Sequence, residues 1–454
     1  MIEWEIQSQI DGIKWPALPA PNASGRLAAL FQLEQSQWWP AEKLREHQFQ
    51  QLEALLAHSV EHVPYYRELL GAQIRQQPLT DELWRSIPIL TRDTLQKIGA
   101  QLHTEVMPPN HGKAALERTS GSTGTPIEAL STDVTRFFWS VFTLREHLWH
   151  KRDLSGKLAV ARFSRDERVL QPHGHRTNNW GFATAGLVKS GECALISVFT
   201  PIPELVSWLQ KEEPDYFLTH PSVLQGMALY CEKEAIKLPF LREVRTISEA
   251  LPDSLRELCK RVWDVRLVDI YSTVELGYLA FQCPDYEHYH LQSEGMLVEI
   301  LDENNSPCAP GEVGRVVVTS LHNYASPLIR YEVGDYAEVG EPCACGRGLP
   351  VIKRILGRYR SLLTMPSGEK RWPRIGILQL GKIAPVKQFQ AVQKSLTEVE
   401  CRLVMPRPLR PEESARLQDH FSQKLGDAFN VTIVEVESLQ RSASGKYEEF
   451  ISEL

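Results

Sequence analysis

Several short runs in this 454-residue chain have the residue types that handle phosphate. Thr119-Ser120-Gly121-Ser122-Thr123-Gly124 joins hydroxyls to glycines, the make-up of a loop whose backbone N–H groups close around phosphate oxygens. Ser248-Glu249-Ala250 follows an apolar run, and Tyr271-Ser272-Thr273-Val274-Glu275 sets a ring and a carboxylate about one helical turn apart. Arg330-Tyr331-Glu332-Val333-Gly334-Asp335 offers a second carboxylate after a glycine turn. Gly357-Arg358 and Ser444-Gly445-Lys446 come last. A lysine serves as a point charge on phosphate or on a developing oxyanion. A glutamate supplies the oxygen that Mg²⁺ shares with substrate phosphates, and a second carboxylate suits ribose hydroxyls. Each run alone reads as something ordinary: a surface loop, an acid near a helix N-terminus, a turn aspartate, a solvated lysine. Their co-occurrence in one chain describes a nucleotide site.

A second constellation is made of Cys283, His290, Cys343 and Cys345, a Cys-x6-His segment with a Cys-x-Cys segment. Three thiolates and an imidazole make a tetrahedral zinc set, with His288 competing as the fourth ligand. Cys193, Cys231, Cys259 and Cys401 fall in apolar or helical contexts and read as buried thiols. His220 and Phe217, at the end of a strand-like run, are candidates for a pocket holding an organic acid.

These residues need elements to hold them. From 157 onward, apolar runs at 157–161, 193–198, 216–218, 244–247 and 266–271 alternate with helical patterns at 203–211 and 221–237. That alternation predicts an α/β layer with a largely parallel sheet, whose ligands sit where strands end. The N-terminal part reads as helical over 44–70, punctuated by Pro64, with a further capped helix starting near Thr91. Runs at 296–300 and 314–319 are hairpin-like. Past a boundary near Gly357-Arg358, strands at 398–404 and 431–436 flank a helix at 411–425, a small α+β unit. The expected domains are therefore 1–357 and 358–454.

Composition narrows the function. A net charge of −7 argues against nucleic-acid binding. No run reaches the roughly 20 apolar residues of a membrane span, and the first residues lack a secretory signal pattern. Eight cysteines do not make a disulfide scaffold, so a reduced, cytoplasmic protein is the expectation. No Gly-x-x-x-x-Gly-Lys-Ser/Thr run of Walker-type ATPases occurs.

In this order the motifs resemble those of the adenylate-forming superfamily of acyl-CoA synthetases, peptide-synthetase adenylation domains and luciferases. Thr119 to Pro126 resembles its phosphate loop, Ser131-Thr132-Asp133 the segment behind it, and Thr219-His220-Pro221-Ser222 its Thr-Pro-Ser segment. Tyr271 to Glu275 is similar to its Tyr-Gly-x-x-Glu motif, with Ser272 for the glycine. Val63-Pro64-Tyr65-Tyr66-Arg67 and Ile87-Pro88-Ile89-Leu90-Thr91 resemble the phenylacetate–CoA ligase branch in particular.

The resemblance implies a large adenylate-forming domain with mixed or parallel sheets flanked by helices, and a small mobile C-terminal domain. It implies Ser120, Gly121, Ser122, Thr123 and Gly124 on phosphate, Ser248, Glu249 and Ala250 at adenine, and Tyr271, Ser272 and Thr273 beside it. It implies Glu275 on Mg²⁺, Asp335 on ribose, Arg358 on ribose or phosphate, and Lys446 on the carboxylate and α-phosphate. Some members of that branch hold structural zinc with residues placed like the Cys/His set.

Departures are Thr125 and Ile127 where the family often carries lysine, and Tyr359-Arg360 for the acidic pair after the hinge. Met365 to Lys370 departs from the glycine loop of the thiol step. The expected reaction is ATP- and Mg²⁺-dependent activation of an aryl or apolar carboxylic acid to an acyl-adenylate, then transfer to coenzyme A. Transfer to an amine, alcohol or carrier-protein thiol is the alternative, as is a catalytically silent member of the fold. The expected partners are small molecules, with a homodimer as the candidate assembly.

Overall fold

Strands covered by helices on both faces must be apolar on both faces, and those between residues 158 and 273 are. In the computed structural model, which describes residues 4–74, 78–118, 127–358, 362–373, 375–442 and 445–454, five of them form the parallel half of one large sheet. Its strands lie in the order Cys193–Ser197, Leu158–Arg162, Tyr216–Thr219, Glu243–Ile247, Arg266–Thr273. The covering helices are amphipathic: Asp253–Trp263 buries Leu255, Leu258, Cys259 and Val262 along one face, and Ile202–Glu212 buries Leu205, Val206 and Leu209. Burial pushes the thiols of Cys193 and Cys231 up to about 11 and that of Cys259 to about 12, as inert core cysteines require.

The parallel half runs straight into an antiparallel half. Arg266–Thr273 pairs with Gly277–Gln282, and the ladder continues through Tyr289–Leu291, Val351–Arg358, Tyr331–Val339, Val313–Ser320 and Met296–Leu301. Among the described residues this sheet has 12 strands, with His175–Thr177 antiparallel at the far edge. A register shift between Tyr271 and Ser272 breaks the ladder at the candidate Tyr-to-Glu motif. An irregularity of that kind turns side chains away from the regular alternation.

The apolar pattern over 44–70 is two helices, Ala41–His62 and Pro64–Ile74. Proline cannot donate the amide hydrogen that would continue the first, but it starts the second without loss. The helix expected near Thr91 is Arg92–Ile98, capped by the Thr91 hydroxyl accepting from the Thr94 amide at 3.2 Å.

A helix the sequence pattern did not announce, Asp133–Trp149, carries a buried charge network. Glu146 accepts from Arg152 at 2.5 Å and from Arg245 at 2.6 Å, and Arg152 also donates to Glu243 at 2.6 Å. Two acids and two guanidiniums balance, and they fasten this helix to strand Glu243–Ile247.

The C-terminal residues form a separate sheet in the order Asn430–Val436, Glu398–Val404, Gln388–Gln393, Phe450–Ser452. Helix Pro411–Leu425 covers it through Leu417, Phe421 and Leu425, as its spacing predicts.

Candidate active site

Three parallel strands end on one edge of the large sheet. Tyr216–Thr219 leads to His220, Glu243–Ile247 to Ser248 and Glu249, and Arg266–Thr273 carries Tyr271, Ser272 and Thr273. A cavity of about 870 Å³ opens there, lined by Ser248, Glu249, Ala250, Tyr271, Ser272, Thr273 and Glu275 on the parallel side. Asp335 and Arg358 enter from the antiparallel side, and Lys446 from the C-terminal unit. Ser248 has a φ of +81°, a conformation costly for a residue with a Cβ and one that clusters at functional sites.

The antiparallel register sets Asp335 opposite Arg358, with Arg358 Nε 3.7 Å from Asp335 Oδ1. The Tyr271 hydroxyl donates to Asp335 Oδ2 at 2.8 Å, and burial together with that carboxylate holds its proton on strongly. Burial raises the Glu275 carboxyl above its ordinary range, against the pull of Arg358 and Lys446. Burial lowers the Lys446 ammonium, Arg358 adds to the fall, and Asp335, Glu275 and Glu249 oppose it. Thus the far-apart Glu275, Asp335, Arg358 and Lys446 meet in one enclosed electrostatic set.

Glu249 lines the cavity, and its carboxylate is held by specific donors. Oε2 accepts from the Ser222 amide at 2.9 Å, and Oε1 from the Ser222 hydroxyl at 3.0 Å and the Tyr447 amide at 2.7 Å. His220 packs beside it, 3.8 Å from Oε1, with its pKa pushed down to about 4 by burial and by Lys446 and Arg441. It is therefore a neutral imidazole.

Phe217 does not belong to the pocket. Its side chain is fully buried in the core cluster between the sheet and its helices, because alternation along Tyr216–Thr219 turns it inward. Ser120, Gly121, Ser122, Thr123 and Gly124 lie outside the described residues, as does the hinge pair Tyr359-Arg360. The strands flanking the loop, Ala115–Arg118 and Glu128–Ser131, pair antiparallel with Arg118 opposite Glu128, which brings the two ends of the segment together.

Two arginines of this region had no signature in the sequence. Arg92, first residue of its helix, lines the cavity near Tyr331, itself close to Glu275. Arg441 donates to the Ser222 hydroxyl at 2.8 Å and to the Gly445 carbonyl at 3.0 Å. Ser222 lies 219 residues before Arg441 and Tyr331 far beyond Arg92, so local spacing could not reveal these contacts.

The cysteine–histidine cluster sits next to this cavity. The ligand atoms of Cys283, His288, His290 and Cys343 lie within 4.8 Å of one another, and Cys345 Sγ is 3.4 Å from His290 Nε2. All five residues read from the sequence are brought together, with His288 inside the mutual set and Cys345 touching it. His288 Nε2 is buried and has no hydrogen-bond partner among the described residues. An orphaned imidazole nitrogen beside clustered thiols is the donor set a zinc ion satisfies.

The fold and this site define a nucleotide-using α/β enzyme class, and comparison with known proteins gives the family. The AMP-binding enzyme family matches residues 38–324, and the CapK C-terminal domain matches 378–453. The chain belongs to the AMP-binding enzyme family, as the motif order implied, and its relatives carry the expected branch. It is 25% identical over 389 residues to the phenylacetate-coenzyme A ligase of Thermus thermophilus, covering 81% of this chain and 83% of that one. It is 25% identical over 330 residues to the Pseudomonas putida enzyme of the same name, covering 70% and 72%. Among solved structures, 2-hydroxyisobutyryl-CoA ligase in the postadenylation state superposes with a TM-score of 0.71 at 17% identity, covering 92% of each chain. The anthranilate CoA ligase AuaEII gives 0.54 at 18% identity over 74% of this chain and 65% of that one. At these identities the superpositions establish the shared fold.

Proposed function

We propose that the protein is an AMP-forming acid–thiol ligase that activates a carboxylic acid with ATP and transfers the acyl group to coenzyme A. The observation that carries this reading is the convergence of Lys446, Glu275, Asp335 and Arg358 on one cavity at the strand ends. In the first step the acid's carboxylate attacks the α-phosphorus of ATP and the bond to pyrophosphate breaks. Lys446 neutralises charge between the incoming carboxylate and the α-phosphate, a point-charge role suited to an ammonium in an enclosed site. Asp335, presented by strand Tyr331–Val339 and braced by Tyr271 and Arg358, accepts from the ribose hydroxyls. Tyr271, Ser248 and Ala250 border the base. In the second step the thiol attacks the acyl carbon and AMP leaves with the bonding electrons.

Glu275 fits Mg²⁺: an enclosed carboxylate with its proton affinity raised by burial regains its charge beside a divalent cation. When bound, that cation would neutralise phosphate charge. The loop at 119–124 forms the pyrophosphate side, relying on Ser120, Ser122 and Thr123. Ile127 is 2% exposed in the core, so no cation stands there, and Arg92 supplies the positive charge from the cavity wall.

The acid we propose is aryl or apolar, supported by the names of the two ligases above. The proposed division into 1–357 and 358–454 is supported by the separate core of the C-terminal sheet. Zinc is proposed as a structural ion held by Cys283, His290, Cys343 and either His288 or Cys345. A cytoplasmic location and a homodimer complete the proposal.

The decisive measurement is pyrophosphate release from ATP over a panel of carboxylic acids, with and without coenzyme A, for the unmutated chain and Lys446→Ala. Acid-dependent release should fall at least about a hundredfold in the variant, the scale of losing a transition-state charge contact. An unchanged rate sinks the role given to Lys446. Product masses with coenzyme A, an amine or a carrier-protein thiol assign the acceptor.

A further inference from the structure

Lys446 lies between strands Asn430–Val436 and Phe450–Ser452 of the C-terminal sheet, while the rest of its electrostatic set belongs to the large sheet. Its reach into the cavity therefore depends on how that segment is held. The holding contacts fall on the residues immediately before and after it. The Gly445 carbonyl accepts from Arg441 Nη1 at 3.0 Å, and the Tyr447 amide donates to Glu249 Oε1 at 2.7 Å. The same Arg441 nitrogen donates to the Ser222 hydroxyl at 2.8 Å and lies 3.9 Å from Glu249 Oε1. Ser222 in turn gives both its amide and its hydroxyl to Glu249. Arg441 also packs over the Tyr447 ring at 5.6 Å. Gly445 sits against Val198 and Phe199, where a Cβ would come within 2.4 Å of Val198 Cγ1, so the close approach needs glycine.

We infer that Arg441, acting through Ser222 and Glu249, is the positioning residue that seats Lys446 in the cavity. An exposed ion pair would contribute little, but the Arg441 and Glu249 side chains are only 18% and 6% exposed, and charge-assisted hydrogen bonds in such surroundings are strong and directional. One guanidinium joins the backbone before Lys446 to Ser222, and Ser222 holds the Glu249 carboxylate that grips the backbone after it. A small displacement of a catalytic group costs orders of magnitude in rate, so an anchor one residue away on each side matters. This inference deepens the ligase reading, on which the catalytic meaning of the seat rests.

The test compares the unmutated chain with Arg441→Ala and Arg441→Lys. Lys446 acylation by sulfo-N-hydroxysuccinimide acetate is followed by peptide mass spectrometry, with the exposed Lys233 as reference. The side chain of Lys157, 22% exposed and paired with Glu212, reports global loosening. Arg441→Ala should raise Lys446 acylation about tenfold relative to Lys233, leave Lys157 unchanged, and be partly rescued in Arg441→Lys. An unchanged Lys446 rate, or a rise shared by Lys157, overturns the positioning role. Pyrophosphate release with phenylacetate is read separately. Retained release in Lys446→Ala would remove Lys446 from the adenylation step, and no acid-dependent release from the unmutated chain would overturn the ligase reading; either result leaves the anchor standing on the acylation ratio.

Discussion

Charge placement, residue by residue, decides what this site can do. Arg92 stands at the start of its helix, on the cavity wall, near Tyr331, which neighbours Glu275. Related loops often carry lysine where this chain has Thr125 and Ile127, and Ile127 is buried, so on the proposed function a cation for the terminal phosphates would come from elsewhere. Arg92→Ala should lower kcat/KM for ATP by about ten- to a hundredfold, the equivalent of about 1.5–3 kcal/mol for a charged hydrogen bond, and Arg92→Lys should recover part of it. Steady-state rates at varied ATP and saturating acid measure this, and an unaltered ATP dependence would remove Arg92 from the phosphate site. Arg92 was illegible in the sequence because its helix signal announces only a cap at Thr91. Lys446, Glu275 and Asp335 were legible because each sits in a short motif whose order along the chain is itself informative.

Elements convert those residues into a site by ending together, and that much could be read from pattern. Strands Tyr216–Thr219, Glu243–Ile247 and Arg266–Thr273 are short apolar runs between amphipathic helices, and each was visible. Helix Asp133–Trp149 was not, because Arg145, Glu146 and His147 lie buried in it and interrupt any apolar stripe. Tyr289–Leu291, at three residues, is too short to carry a period. The hidden helix is pinned to strand Glu243–Ile247, which leads to Glu249, so its network sets how firmly one wall of the cavity is held.

Within that network His150 is 8% exposed, and neither ring nitrogen has a hydrogen-bond partner among the described residues. Burial and then Arg152 drive its pKa down to about 3. The unfolded chain takes up that proton below pH about 6.5 while the folded chain refuses it, so the stability tied to a neutral His150 is present above 6.5 and lost as pH falls toward 3. Relative to the unmutated chain, His150→Leu should gain about 2 kcal/mol between pH 7 and pH 5. Urea unfolding at the two pH values checks it; a variant offset that ignores pH would show His150 to be protonated or hydrated in place. Glu146 behaves otherwise: burial works to raise its pKa, but Arg152 and Arg245 outweigh it and hold the carboxyl below its usual range. Its contribution stays constant over the same interval and is lost only in stronger acid.

At the scale of the whole molecule, the large sheet is two halves of different hand-built logic, a parallel one that ends at the site and an antiparallel one that brings Asp335 and Arg358 to it. Within the antiparallel half, what gathers the strands beyond the ladder is the cysteine–histidine cluster. Cys283 follows strand Gly277–Gln282, His290 lies on Tyr289–Leu291, and Cys343 precedes Val351–Arg358, three neighbouring strands tied at one end. Since His288 also lines the cavity, the cluster braces the wall from which Arg358 projects. Thiolates this close repel, and burial pushes the Cys343 thiol up to about 12 and raises that of Cys283, so without a cation these two favour protonated, weakly bonded sulfur. A zinc ion reverses that balance and adds folding free energy directly. Protein purified without chelator should therefore contain about one zinc per chain by mass spectrometry of the metal. Cys343→Ser should lose the ion and lower Tm by several degrees, whereas Cys401→Ser, in the separate C-terminal core, should keep it. Zinc-free protein, or Cys343→Ser that retains the metal, would leave these residues as a packed thiol–imidazole cluster and return the bracing of the wall to the strand ladder alone.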